Sequence, residues 1–220
     1  MPKHITVVSE TFDPDIMKEL LKTERLFFGD AHVLYPADCD GSHLTRFFMV
    51  EKILSGENDF SSFIALDIYN WIRREKIDFD FVFAPAQPGV KEIAKIIARE
   101  FKKQYALWDY FPTGRFGDMA AKDSPPMIPF GRALMFNGMS AQGRCIGDRL
   151  PSFLKRCQAY PVAAAVFAKG TTGLVNKVEE TFGSRFYSTI QVDIPVYTRG
   201  TCPKCKSGDV ASLQRWTDLQ

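Results

Sequence analysis

The sequence predicts an α/β fold, a central mostly parallel sheet flanked by helices. Three observations carry that expectation. From residue 60 onward, short apolar runs of strand length alternate with stretches of helical periodicity, and such alternation implies right-handed crossovers between parallel strands. The run 162–167, VAAAVF, is continuously apolar, as is a strand buried on both faces. At 220 residues the chain is long enough for one such domain with appended elements.

The elements follow in order. Residues 13–27 read as a helix, with Ile16, Leu20 and Leu21 at helical spacing, Asp13 as its cap and Pro14 in the first turn. Segment 31–49 reads as two short strands, one through Val33, Leu34 and Tyr35 and one through Phe47, Phe48 and Met49, around the polar turn 38–42. An amphipathic helix over 60–76 presents Phe63, Ile64, Ile68, Trp71 and Ile72. Strand 79–84 is broken by PAQPG at 85–89, and helix 90–103 carries Ile93, Ile96, Ile97 and Phe101 on one face. Strand 105–111 leads into a polar stretch, 112–129, long enough to be a functional loop or lid. Strand 133–136, a loop of small residues at 137–144, helix 150–157, strand 162–167, helix 174–182 and strand 187–192 complete the pattern. Parallel sheets hold ligands at the carboxyl ends of their strands. Loops 84–89, 112–129, 137–144 and 168–173 are therefore expected to share one mouth.

Composition removes several function classes. Hydrophobic residues make up 45% and charged residues 25% of the chain, as in a globular protein rather than a disordered one. A net charge of +2 lacks the basic excess of a nucleic-acid binder. No apolar run approaches the ~18 residues of a membrane span, and the start MPKHI lacks the apolar stretch of a signal peptide. A cytoplasmic location is the expectation. The three histidines all precede residue 44, which argues against a histidine-based hydrolase.

The segments FVFAPAQPGVKEIAKIIARE from Phe81, ALMFNGMSAQGRCI from Ala133 and VDIPVYTRGTCPKCKSG from Val192 resemble, by order and spacing, the type I phosphoribosyltransferases, and within them the orotate branch. The likeness covers about residues 15–210. It implies a single domain, with a core over about 60–190 and a hood from about 28–55 and 192–210. It also implies a homodimer acting on phosphoribosyl diphosphate or a nucleotide, with magnesium if catalysis occurs. Ala86, Gln87 and Gly89 match the diphosphate turn, although Pro85 and Pro88 each remove an N–H donor there. Arg115 and Lys122 match the basic residues of the family's catalytic loop, or are solvated loop charges. Lys169 and Thr171 stand where the family contacts base or ribose, or belong to a plain strand-to-helix connection.

The sugar-phosphate loop departs from the family pattern. Aligning Gly143 with the loop glycine puts Asn137 and Gly138 where the family has two adjacent acids. Those acids stabilise an oxocarbenium-like transition state in the family, and their loss should slow transfer by orders of magnitude. An amide at Asn137 keeps the capacity to hydrogen-bond a ribose hydroxyl. Ser140, Ala141, Gln142, Gly143 and Arg144 either present backbone N–H groups to a phosphate monoester at a helix N-terminus or form a tight turn. Asp109 and Asp118 are alternative sources of the missing acid.

Cys202 and Cys205 form a CxxC, half of a zinc knuckle, and Cys39 and His43 form a CxxxH far upstream. If the terminal segments meet in the hood, the four make a Cys₃His site for structural zinc. The alternative is a buried apolar Cys39, a surface His43 and a metal-free CxxC. Three functions remain open: an active transferase, a non-catalytic nucleotide-binding or regulatory module, and an interaction scaffold within a multi-protein system.

Overall fold

The structure, a computed structural model, describes residues 5–13, 15, 27–28, 31–34, 41–48, 54, 60–110, 116–209 and 212–215. Short strands open the chain: β1 (Ile5–Val7), β2 (Phe27–Phe28), β3 (Val33–Leu34), β4 (His43–Leu44) and β5 (Phe47–Phe48). Helix α1 (Phe60–Arg74) precedes β6 (Phe81–Pro85), α2 (Val90–Glu100), β7 (Gln104–Tyr110), β8 (Phe116–Ala120) and β9 (Arg132–Ser140). One π-helical turn (Cys145–Arg149) runs into α3 (Leu150–Arg156), then β10 (Tyr160–Lys169), α4 (Gly173–Phe182) and β11 (Phe186–Val192). The tail adds β12 (Val196–Tyr197), α5 (Pro203–Lys206) and β13 (Gln214–Arg215).

Seven strands form the main sheet in the order β1-β11-β10-β9-β6-β7-β8. The inner five run parallel, and the edges β1 and β8 are antiparallel. This is the mostly parallel, helix-flanked sheet that the sequence pattern predicts. Alternation along each strand splits the core into two layers. On one face Val82, Leu134, Phe136 and Phe167 pack with Ile64, Ile68, Trp71, Ile93 and Ile97 of α1 and α2. On the other, Phe81, Phe83, Met135 and Val166 pack with Leu150, Phe153, Leu154 and Val178 of α3 and α4. Each fully buried aliphatic or aromatic side chain contributes about 1.5–3 kcal/mol.

Three details differ from the sequence reading. Residues 116–120 are a strand rather than part of a loop. They pair with β7 through Trp108↔Ala120 and Tyr110↔Phe116, and Ser124 Oγ then accepts the Leu107 N–H at 2.7 Å. Edge pairing of this kind is decided by an available sheet edge, not by apolar content. Residues 137–140 are also strand, because β10 continues beside them with Val166↔Asn137 and Lys169↔Ser140 in register. Of the predicted helix 13–27, residues 16–26 lie outside the described residues, while Phe27–Phe28 is strand.

Two polar devices fix the sheet. Arg132 donates from its backbone N–H to Asp80 Oδ2 at 2.8 Å and from its guanidinium to both Asp80 oxygens at 3.1 and 2.9 Å. The pair ties the start of β6 to the start of β9. Beneath β11, the buried Asp67 carboxyl of α1 accepts hydroxyl hydrogen bonds from Thr11 at 2.7 Å and from Tyr187 and Thr189 at 2.8 Å, and another from Ser9. Burial first, with Asp67 adding to it, pushes the Tyr187 phenol well above its ordinary value. A four-stranded sheet, β12-β4-β3-β13, stands apart and joins residues 33–44 to 196–215.

Two predictions follow from these devices. Asp67→Ala leaves buried hydroxyls without their acceptor and should cost roughly 2–4 kcal/mol in urea denaturation, against about 1 kcal/mol for Tyr187→Phe. Guanidinium hydrogen bonds hold the Asp80 carboxyl at about 2, below the ~3.9 of an unfolded chain. A lowered folded-state value gives stability that is present above pH ~4 and lost as pH falls toward about 2. Asp80→Asn should flatten that part of the stability-against-pH curve.

Candidate functional site

Strand order reverses between β6 and β9: from β6 the chain moves outward to β7 and β8, then returns to β9 on the other side and continues to β10 and β11. In open α/β sheets the crevice beyond the carboxyl ends at such a reversal is where ligands sit. Here it lies between the turn after Pro85 and the end of β9 at Ser140. Four buried polar side chains cluster by sequence at these two strand ends: Gln87, Asn137, Ser140 and Gln142. The Gln142 Oε1 is fully enclosed and accepts no hydrogen bond, an arrangement that costs about 1–3 kcal/mol unless a ligand or water completes it.

The turn after β6 is partly committed to the fold. The Ala86 N–H donates to the Trp108 carbonyl at 2.8 Å. Gly89 sits at φ 76°, and a Cβ there would lie 2.5 Å from the Leu54 carbonyl carbon. Its glycine is thus explained by the close approach of the Leu54 backbone. After β9 the loop is equally well packed: Ala141 is buried and Ser140 accepts the Gly170 N–H at 2.9 Å. Gly143, at φ 82°, would place a Cβ 2.8 Å from the backbone of Leu174 and Val175. A Cβ on Gly170 would meet the Ala141 oxygen at 2.2 Å. Two glycines therefore let the β9 and β10 turns interlock.

On the outer side of this interlock lies a cavity of about 380 Å³, lined by Gly143, Arg144, Leu174, Lys177 and Val178 among others. No pattern in the sequence announced it, because α4 and the π-helical turn meet only in the tertiary fold. Gly147 belongs to the same surface, where a Cβ would lie 2.6 Å from Val178 Cγ2. Of the remaining predicted residues, Lys169 is ion-paired with Glu179 of α4 and Thr171 is exposed. Lys122 is exposed just beyond β8, and Arg115 lies outside the described residues. Asp109 is half-buried on β7, and Asp118 stands on β8.

A second constellation lies in the small sheet. His32, His43, Cys202 and Cys205 bring their ligand atoms within 4.8 Å of one another, three of the residues being buried. This set can hold a metal ion. It contains His43, Cys202 and Cys205 of the predicted four, while Cys39 lies outside the described residues. His32 was missed by spacing alone. The antiparallel register Leu34↔His43 puts residue 32, two positions from 34, on the same face and diagonal to His43. Burial first, then His32 and Arg199, holds the His43 imidazole below its ordinary pKa, which favours the neutral, ligating form. Burial also leads the upward shift of the Cys205 thiol, with Cys202 adding to it.

No protein-family model matches the chain, and no curated protein matches it in sequence. Solved structures do. An orotate phosphoribosyltransferase from Aeropyrum pernix is 16% identical, over 80% of this chain and 93% of that one, with a TM-score of 0.53. A phosphoribosyltransferase from Corynebacterium diphtheriae is 10% identical over 78% and 92%, also at 0.53. The adenine phosphoribosyltransferase of Trypanosoma brucei, solved with AMP, pyrophosphate and ribose-5-phosphate, is 13% identical over 86% of each chain at 0.52. The chain has the type I phosphoribosyltransferase fold.

Because its φ is positive and its Cβ space is filled by backbone, Gly143→Ala should lower stability by about 2 kcal/mol or more. Gly173→Ala, where nothing lies within 4 Å, should do far less. Thermal unfolding of the two variants measures the difference.

Proposed function

We propose that the reversal crevice between β6 and β9 binds a phosphorylated ribose, whether a sugar phosphate, phosphoribosyl diphosphate or a nucleotide, with little or no transfer chemistry of its own. The single observation behind this reading is the cluster of buried polar groups at the two strand ends flanking the reversal, including the unsatisfied Gln142 oxygen. Asn137 and Ser140 supply neutral hydrogen-bonding groups suited to ribose hydroxyls, and Gln142 supplies an acceptor. Ala141, Gly143 and Arg144 carry the chain around the phosphate end, where the adjoining cavity adds the Lys177 cation. Its size falls in the range of small-molecule sites. The likeness to an enzyme solved with AMP, pyrophosphate and ribose-5-phosphate points to the same ligand class.

The favoured role is a non-catalytic nucleotide-binding or regulatory module. A developing oxocarbenium ion needs negative charge aimed at it, and neither Asn137 nor Gly138 provides any. The diphosphate turn is weakened as well: Pro85 and Pro88 have no N–H, and Ala86 has given its own to Trp108. Gln87 and Gly89 are the other two residues of that turn with a backbone N–H. Lys122 and Arg115 are the cations proposed to approach from the 112–129 segment, with Lys169 and Thr171 on the base side. Magnesium would accompany diphosphate. The same reading includes a homodimer in the cytoplasm, a hood from about 28–55 and 192–210 over a core of about 60–190, and zinc in the His/Cys cluster. No helix among the described residues is long and apolar enough to cross a membrane.

Calorimetric titration with ribose 5-phosphate, phosphoribosyl diphosphate and a panel of nucleoside monophosphates, with magnesium present, tests the reading. Saturable binding is expected, weakened roughly tenfold by Gln142→Ala, equivalent to about 1.4 kcal/mol. No binding of any of these ligands would leave the fold as a protein-interaction scaffold. Asn137→Asp restores one carboxylate and should raise any turnover of phosphoribosyl diphosphate by about tenfold or more. Unchanged turnover in a variant that still binds would remove Asn137 from the reacting centre.

A further inference from the structure

We infer that His32, His43, Cys202 and Cys205 form a metal clasp on which the small four-stranded sheet depends for its existence, an inference that rests on the reading of this cluster as a zinc site. Four of the six separations between ligand atoms compare directly with a tetrahedral shell, and all six are within 4.8 Å. His32 Nε2 lies 3.1 Å from His43 Nδ1 and 3.5 Å from each of the Cys202 and Cys205 sulfurs, and the Cys205 sulfur lies 3.3 Å from His43 Nδ1. Zinc bonds of about 2.0–2.1 Å to nitrogen and 2.3 Å to sulfur place tetrahedral ligand atoms about 3.3–3.8 Å apart. The observed separations fall at or close to those values.

The His32 tautomer is set from behind. Its Nδ1 lies 2.9 Å from the Asp209 carbonyl oxygen and 3.2 Å from Ser212 Oγ. A carbonyl only accepts, so Nδ1 carries the proton and donates it. In the neutral ring the Nε2 lone pair is then free, and it is the atom aimed at His43 and the two sulfurs. Histidines that ligate metals are held in this way by an outer hydrogen bond. Two thiolates and two neutral imidazoles around a divalent ion leave no net charge in a largely buried site.

The clasp joins segments whose strand pairings are short. Strands β3, β4, β12 and β13 are two residues long each, too short for a sheet to persist on ladder hydrogen bonds alone. The ligands come from β4, from the residue before β3 and from the segment between β12 and β13. His32 immediately precedes β3, and its carbonyl accepts the Gln214 N–H at 2.8 Å. His43 lies within β4, and the two cysteines lie on α5 and its cap between β12 and β13. One ion therefore crosslinks residues 32 and 43 to 202 and 205, closing a loop of more than 150 residues. A staple of this kind substitutes for the core that so small a sheet cannot build.

Metal analysis of the full chain purified after growth with zinc, paired with hydrogen–deuterium exchange before and after chelation, tests the clasp. The expected result is about one zinc per chain, largely lost in His32→Ala and Cys205→Ser and retained in Cys39→Ser. Cobalt reconstitution should give a thiolate charge-transfer band in the wild type that Cys205→Ser diminishes. After chelation, amides of 31–34, 41–44, 196–209 and 212–215 should lose protection, while those of 81–85, 132–140 and 160–169 keep theirs, and re-addition of zinc should restore the pattern. A chain without zinc that gives no cobalt band, or one with a Cys202–Cys205 disulfide, overturns both the zinc reading and the clasp. Zinc that is lost in Cys39→Ser but kept in His32→Ala overturns this ligand set. Bound zinc whose removal leaves 31–34, 41–44, 196–209 and 212–215 protected overturns the clasp while the zinc reading stands.

Discussion

The parallel pairing of β9 with β10 on one side and β6 on the other is the constraint from which the rest of the site follows. The β10 ladder runs on to Lys169↔Ser140, beyond the last β6 partner pair at Phe83↔Met135. The last residues of β9 therefore project past β6 and into the crevice where the strand order reverses. Asp80 and Arg132 anchor the opposite end, fixing the register of β6 against β9 by four hydrogen bonds between the two residues. Displacing that register by one residue would exchange the two faces of β9, moving Leu134 and Phe136 out of one core layer and Asn137 to the other side of the sheet.

Buried polar residues show where the fold departs from pure packing. Among the described residues they fall into three groups. Asp67 and Thr189 belong to the hydroxyl network under β11, and Ser188 is their neighbour on that strand. His32, Ser42 and His43 belong to the small sheet. Gln87, Asn137, Ser140 and Gln142 lie by sequence at the ends of β6 and β9. In the first group Asp67 and Thr189 hydrogen-bond each other within the chain. The second converges lone pairs on one point, and the third leaves an enclosed acceptor unsatisfied. A buried acceptor without a partner is costly, and among these residues that holds for the Gln142 oxygen.

Much of this was legible in the residues. The alternation of apolar runs with helical periods located β6, α2, β9, β10, α4 and β11, because burial on both faces of a parallel sheet writes itself directly into composition. The CxxC at 202–205 was legible because its two cysteines are close together in the chain. What was not legible was decided by pairing. Residues 116–120, FGDMA, are not a strand by composition and became one at the open edge of β7. Residues 137–140 read as a loop of small residues and became strand because β10 extends beside them. Lys169, placed by the resemblance on the base side, is engaged by Glu179 one helix away.

By itself the sequence determined the fold class, the order of elements, the absence of an acidic pair at 137–138 and the pairing of Cys202 with Cys205 as a CxxC. These are local or periodic properties, carried by residues close together in the chain. Tertiary structure decided that His32 completes the cysteine–histidine cluster across 170 residues, that Gly143 and Gly170 serve backbone packing, and that Arg144 and Lys177 share one cavity. Each of these depends on which segments the sheet brings together. That information resides in strand register and crossover geometry, which no spacing along a single chain encodes.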